Sequence, residues 1–239
     1  MTAMTTVLIT GANKGLGLET ARQLAAQGWT ILLGSRDPDR GRAAAKELAA
    51  DEADVHAVPL DVTDDASVDA AVTEVARTTD HLDVLVNNAG IIGSATTPLE
   101  TGPSDFLACF GVNLLGPVRV TRAFLPLLSQ AELPRIVMVS SGMGSLAVTT
   151  DPERLESGLV SLVYPSSKAA LNMVTTQYAK ALPGWKVNAV DPGYTATDLN
   201  GHSGHKTVAE GARAIVAMAT VGPDGPTGGF FDDNGAVPW

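Results

Sequence analysis

The stretch "TTVLITGANKGLG", residues 5–17, runs from apolar and β-branched residues into a glycine-rich segment. Val7, Leu8 and Ile9 in direct succession, with no alternating polar position, read as a strand buried on both faces. Glycines at 11, 15 and 17 follow, and the helix-prone "LETARQLAAQG" runs on to Gly28. Between a strand and a helix, glycines permit a tight turn, close backbone approach to a ligand and close packing of helix on strand. The start of such a helix offers free N–H groups and a positive dipole end to a phosphate. A plain βα connection uses the same turn chemistry. What favours a nucleotide here is the position of the turn at the first strand–helix junction.

The same alternation continues along the chain. "TILLG" (30–34), "VHAVPLDV" (55–62), "LDVLVNNAG" (82–90), "RIVMVSS" (135–141) and "KVNAVDPG" (186–193) read as further strands, and "GGFF" (228–231) as a seventh. Between them lie helical stretches: one after Asp37, a plausible cap, one over "DDASVDAAVTEVART", and a long one over about 104–128. Pro117 and Pro126 leave the ends of the long one undefined. Another helix holds Tyr164 and Lys168, and the last covers "TVAEGARAIVAMAT". Continuous apolar strands alternating with helices specify an α/β, doubly wound parallel sheet of about seven strands. No Pro/Gly/Ser-rich linker or internal repeat divides residues 1–239, so a single domain is expected.

Composition narrows the partners. The net charge is −10, from 26 acidic and 16 basic residues, and no basic stretch occurs, which argues against nucleic acid. A pocket for a phosphorylated small molecule needs only two or three cations and fits this balance. Cys109 is the only cysteine, so there is no intrachain disulfide. The start "MTAMTTVLIT" lacks a basic n-region and a long apolar segment, no stretch has the length of a membrane span, and a cytoplasmic protein is expected. His202 and His205 lack a cysteine or a clear acidic third ligand, and no metal is expected.

The pentapeptide "YPSSK" sets Tyr164 and Lys168 four apart, on one face of a helix. A phenol titrates near pH ~10, too high for ready proton exchange at neutral pH. An ammonium beside it favours the phenolate, so Lys168 is expected to lower the tyrosine's pKa. Pro165 is tolerable where the helix begins only a few residues earlier.

TGxxxGxG at Thr10–Gly17, "NNAG" at Asn87–Gly90, a serine after the fifth strand, YxxxK, and "PG" after the sixth strand come in one order. Together they resemble the short-chain dehydrogenase/reductase family over nearly the whole chain, and "TGANKGLG", "VSSGMGSL" and "GGFFDDNGAVPW" lean towards its carbonyl-reductase-like members. The resemblance implies a Rossmann fold and a catalytic set of Asn113, Ser141, Tyr164 and Lys168, with Ser140 competing for the serine role. In this set Tyr164 is the general acid/base, Lys168 tunes it and binds ribose, and Ser141 positions the carbonyl. Asn113 bends its helix and holds a relay water. Cofactor contacts are implied for Gly11, Asn13, Lys14, Gly15, Leu16 and Gly17 in the first turn, and for Ser35 and Arg36 after the second strand. They are implied also for Asp61, Val62, Asn88, Ala89 and Gly90, for Tyr164 and Lys168, and for Pro192, Gly193, Thr195 and Thr197.

The family's acidic ribose position falls on Ser35, followed by Arg36. A carboxylate there would repel a 2′-phosphate, whereas a guanidinium binds one with paired hydrogen bonds, so NADP(H) is favoured over NAD(H). Lys14 can approach the same phosphate, and Asp61 either contacts adenine or caps the next helix.

One departure stands out. Ser141 and Tyr164 lie 23 positions apart, longer than the family's usual spacing. The insertion near 142–163 resembles that of monomeric carbonyl reductases and puts the common oligomer in doubt, leaving dimer, tetramer and monomer open. The implied activity is NADPH-dependent reduction of a small-molecule ketone, aldehyde or quinone-like carbonyl, reversible as alcohol oxidation, with a substrate loop near 193–212. The rivals are a reductase or epimerase acting on a different bond, and a non-catalytic NADP(H)-binding regulator.

Overall fold

The computed structural model describes residues 4–49, 53–94 and 96–239. Its strands are β1 (Thr6–Ile9), β2 (Thr30–Ser35), β3 (Val55–Pro59), β4 (Val84–Asn87), β5 (Arg135–Val139), β6 (Lys186–Val190), β7 (Phe230–Asp232) and β8 (Gly235–Ala236). They form one sheet in the order β3-β2-β1-β4-β5-β6-β7-β8. All pairings are parallel except β7 with β8. The eighth strand is one more than the sequence suggests. It is a two-residue return behind a turn in which the Asn234 amide donates to Asp232 Oδ1 at 2.7 Å, too short to carry a period-2 pattern.

Helices cover both faces: α1 (Gly15–Ala25), α2 (Pro38–Ala49), α3 (Asp65–Thr78), α4 (Pro103–Phe110), α5 (Gly116–Leu128), α6 (Leu146–Thr150), α7 (Val163–Ala181) and α8 (Val208–Ala219). Strand alternation sorts the core. Val7, Ile9, Ile31 and Leu33 pack with Ala21, Leu24 and Ile215 on one side, while Leu8, Leu32, Leu85 and Ile136 pack with Val68, Phe124 and Leu171 on the other. Truncating Phe124, fully buried, to alanine is expected to cost about 3–5 kcal/mol.

The long helical stretch is interrupted. Residues Gly111–Leu115 form a π-helical turn between α4 and α5, closed by Gly116 N donating to Gly111 O. Pro117 stands at the start of α5 directly after the π turn, and Pro126 lies inside that helix. Asn113 sits in the π turn, the kind of local irregularity that concentrates at functional sites. Helix α7 starts at Val163, so Pro165 falls in its first turn as the sequence requires.

Candidate active site

The site grows from a hydrogen-bonded knot beneath the glycine turn. Thr10 Oγ1 accepts from the amides of Asn88 and Ala89, both at 2.9 Å, and Asn88 Nδ2 donates to Thr10 O at 2.8 Å and to Gly11 O at 3.2 Å. This joins the ends of β1 and β4, two neighbouring parallel strands. The turn needs its glycines: Gly11 has φ of +63°, and a Cβ on Gly17 would stand 2.5 Å from Asn88 Nδ2 and 2.7 Å from Gly11 O. Asn87, one residue earlier, points down into the core, where its Nδ2 donates to Thr121 Oγ1 at 3.2 Å.

Along the carboxyl ends of the strands runs an open cleft of about 550 Å³. Gly11, Asn13, Lys14, Gly15, Leu16 and Gly17 line it, as do Arg36, Asp61, Val62, Asn88, Ala89, Gly90, Tyr164, Lys168, Pro192 and Thr197. At one end Lys14, Arg36 and Arg40 supply cations. Arg40 went unnoticed in the sequence because it lies one helical turn beyond the strand, among the solvated charges of α2. Asp37 does cap α2: its Oδ1 accepts from the Asp39 and Arg40 amides at 3.0 and 3.1 Å, and its Oδ2 lies 3.3 Å from Arg40 Nε. The Asp37 carboxylate is therefore engaged with its own helix. Lys14 Nζ is paired with Asp198 Oδ2 at 2.7 Å across the mouth of the cleft.

Ser35 is a correction to the expected cofactor set. It is buried, and its hydroxyl donates to Asp37 O at 2.8 Å beneath α2, away from the cleft. Thr195 also turns inward, donating to Pro192 O at 3.1 Å, and Gly193 is covered by the Lys206 side chain, whereas Thr197 lies against Gly15. Asp61 does not cap the following helix; that role falls to Asp64, which accepts from the Ala66 amide at 3.0 Å. Burial works to raise the Asp61 carboxyl, but hydrogen bonds from Thr63 and the charges of Arg36 and Arg119 outweigh it and hold it below the usual range.

At the inner end stand Tyr164 and Lys168. Lys168 Nζ lies 5.7 Å from the Tyr164 ring centroid and donates to Val139 O at 2.7 Å. Ser140, the competing serine, is buried and donates to Asn172 Oδ1 at 2.6 Å. Ser141 accepts from the Met143 amide at 3.2 Å and sits beside the phenol. The expected tuning does not appear in the protein alone. Burial pushes the Tyr164 phenol above its ordinary value, with hydrogen bonding to Ser141 working against it, and the charge of Asp191 adds to the rise. Burial also pushes Lys168 down to about 8. Each group loses more from leaving water than it gains from its neighbour, so at neutral pH the phenol keeps its proton.

Asn113 is fully buried and clasps the turn after β4. Its Oδ1 accepts from Ile91 N, and its Nδ2 donates to Ile91 O, both at 2.9 Å, and to Ser167 Oγ at 3.0 Å. Ser167 in turn donates to Tyr164 O at 2.7 Å, a link the sequence analysis missed although it lies within "YPSSK". Asn113 Nδ2 also lies 3.2 Å from Cys109 Sγ, so the carboxamide from which a relay water was expected is already committed to four protein groups.

A family model described as short chain dehydrogenase matches residues 5–207. The chain belongs to the short-chain dehydrogenase/reductase family, and so to the oxidoreductases. Among relatives in that family, it is 34% identical to (-)-isopiperitenone reductase of Mentha piperita, aligned over 96% of each chain. It is 35% identical to (+)-neomenthol dehydrogenase of Arabidopsis thaliana, over 94% of each. In three dimensions it resembles the NADPH-bound carbonyl reductase from chicken fatty liver with a TM-score of 0.87 and 30% identity, covering 99% of both chains. The cleft fits such a dinucleotide: glycines 11, 15 and 17 line it at the start of α1, where backbone N–H groups can receive a phosphate, and Lys14, Arg36 and Arg40 add cations.

Proposed function

We propose that the chain is an NADPH-dependent reductase of ketones, aldehydes or quinone-like carbonyls, reversible as alcohol oxidation. The observation that carries this reading is one continuous cleft lined by Lys14, Arg36 and Arg40 and also by Tyr164 and Lys168, with Ser141 hydrogen-bonded to the phenol. Bound NADPH supplies a hydride to the carbonyl carbon.

Tyr164 donates its proton to the carbonyl oxygen as negative charge develops there. The raised phenol pKa supports the reductive direction, because the acid form is the one present. Ser141 hydrogen-bonds the same oxygen and holds it against the phenol. Lys168, held by Val139 O, places positive charge beside the phenolate left after transfer. Asn113 and Ser167 hold the Tyr164 backbone in place. Arg36, with Lys14 and Arg40, selects the 2′-phosphate through charge-assisted hydrogen bonds. The names of neomenthol dehydrogenase and the chicken carbonyl reductase support a carbonyl–alcohol pair as the substrate class.

The test is oxidation of NADPH and of NADH with a panel of aldehydes, ketones, diketones and quinones, in the parent protein and Tyr164→Phe. Turnover with NADPH that collapses in the variant supports the reading. Turnover with NADH alone overturns the cofactor assignment, and cofactor binding without turnover of any carbonyl favours a regulator.

A further inference from the structure

Asp191, the residue before Pro192 and Gly193, has no part in the reaction as described, yet its carboxylate is almost wholly buried at the site. Its Oδ1 accepts from the Gly193 amide at 2.9 Å, and Gly142 lies against the same carboxylate, whose ionised form its amide favours. Gly142 directly follows Ser141, and Gly193 opens the loop that crosses the cleft through Thr197. One side chain therefore joins the turn after β5 to the turn after β6. A Cβ built on Gly142 would lie 2.9 Å from Asp191 Oδ2 and 2.8 Å from Glu156 Oε1, so the two carboxylates face each other across this glycine. Glu156 comes from the short helical turn Leu155–Gly158 inside the insertion.

We propose that Asp191 is a positioning residue that ties the Ser141 turn to the Pro192–Gly193 turn, and that Glu156 of the insertion governs this tie. The proposal rests on the carbonyl-reductase reading, in which Ser141 holds the substrate oxygen.

The charges around Asp191 oppose its ionisation. Glu156 faces it from the insertion and Asp232 from β7. Arg154 is drawn to the other oxygen of Glu156 at 3.6 Å, and Lys206, packed on Gly193, is taken by Asp233 at 2.7 Å. Tyr164 of α7 feels the Asp191 charge. Burial first, then Glu156 and Asp232, push the Asp191 carboxyl up, against the two amides. A carboxyl raised in this way stabilises the fold below its unfolded pKa and loses that contribution as pH rises through the folded one. Ionised Asp191 is thus a burden on the fold.

The experiment compares the parent enzyme with Asp191→Asn and Glu156→Gln by four readouts: reduction kinetics against pH, NADPH affinity by fluorescence titration, melting temperature, and amide hydrogen exchange. In Asp191→Asn, kcat/KM for the carbonyl should fall by about 10- to 10²-fold, the range for a displaced positioning group. NADPH affinity should change by less than about threefold and the melting temperature at neutral pH should hold or rise. Exchange should quicken in peptides covering 141–144 and 191–195 and stay unchanged in β1 and β4. The acid limb of the parent's pH profile should vanish in Asp191→Asn and move to lower pH in Glu156→Gln.

Unchanged exchange in both turns overturns the tie. A loss of kcat/KM matched by equal losses of NADPH affinity and melting temperature overturns the positioning role in favour of a merely structural one. If the parent turns over no carbonyl, the carbonyl-reductase reading fails instead, and the exchange data alone decide whether the tie exists.

Discussion

The two ends of the cleft are built on different principles. At the glycine turn, backbone groups and the side chains of Thr10 and Asn88 form a closed knot, and a single methyl on Gly17 has nowhere to go. At the other end the loop after β6 lines the cleft with Pro192, Thr197 and Leu199, and the insertion beside it exposes Leu146, Leu159, Val160 and Leu162 while its Glu156 faces a buried aspartate. The first end is specified by backbone geometry, which tolerates almost no substitution. The second is specified by side chains, which can change while the sheet stays fixed.

Removing the proton donor should produce the largest effect. Tyr164→Phe is expected to lower kcat by about 10²–10⁴-fold, with NADPH affinity nearly unchanged, as read by steady-state kinetics beside fluorescence titration. Next comes Gly17→Ala at the other end: the added methyl should force the Asn88 knot apart, destabilise the protein by about 1–3 kcal/mol in urea unfolding, and abolish NADPH binding. If Gly17→Ala bound NADPH normally, the contrast between a rigid and a variable end would break.

Arg36→Ser should weaken NADPH by about 10- to 150-fold, the worth of a hydrogen bond to a charged group, and leave NADH nearly unaffected. Because Lys168 is pushed down to about 8, kcat/KM for reduction should decline as pH rises through that value and the ammonium is lost. A profile flat from pH 7 to 9 would exclude the lysine charge as a contributor. Smallest is Asp198→Asn. The Lys14–Asp198 pair is more than half exposed on both sides, so unfolding should change by less than about 1 kcal/mol, while the freed Lys14 tightens NADPH by a few-fold.

The sheet, the glycine turn and the Tyr164–Lys168 pairing were legible in the sequence because each rests on a local period or spacing. Val7–Ile9 and Arg135–Val139 read as buried strands and are strands. What escaped depends on which way a side chain turns. Ser35 and Arg36 are neighbours, and only the register of β2 under α2 turns the serine inward. Ser140 and Ser141 stand in the same relation, separated by the bond from Ser140 to Asn172 on α7. The tuning of Tyr164 was read from the i, i+4 spacing alone, which carries charge but not burial, and burial decides its direction here. The π turn at Gly111–Leu115 has no period of its own, and nothing in the sequence pairs Asp191 with Glu156, which only the fold brings together at Gly142.

The most direct test of the central claim is the fate of the label when the enzyme reduces a carbonyl with NADPH deuterated at the transferable position. Deuterium on the carbinol carbon of the alcohol, formed rapidly by the parent and only slowly by Tyr164→Phe, is the expected result. Alcohol formed without the label, or labelled alcohol formed equally fast by both proteins, would contradict it.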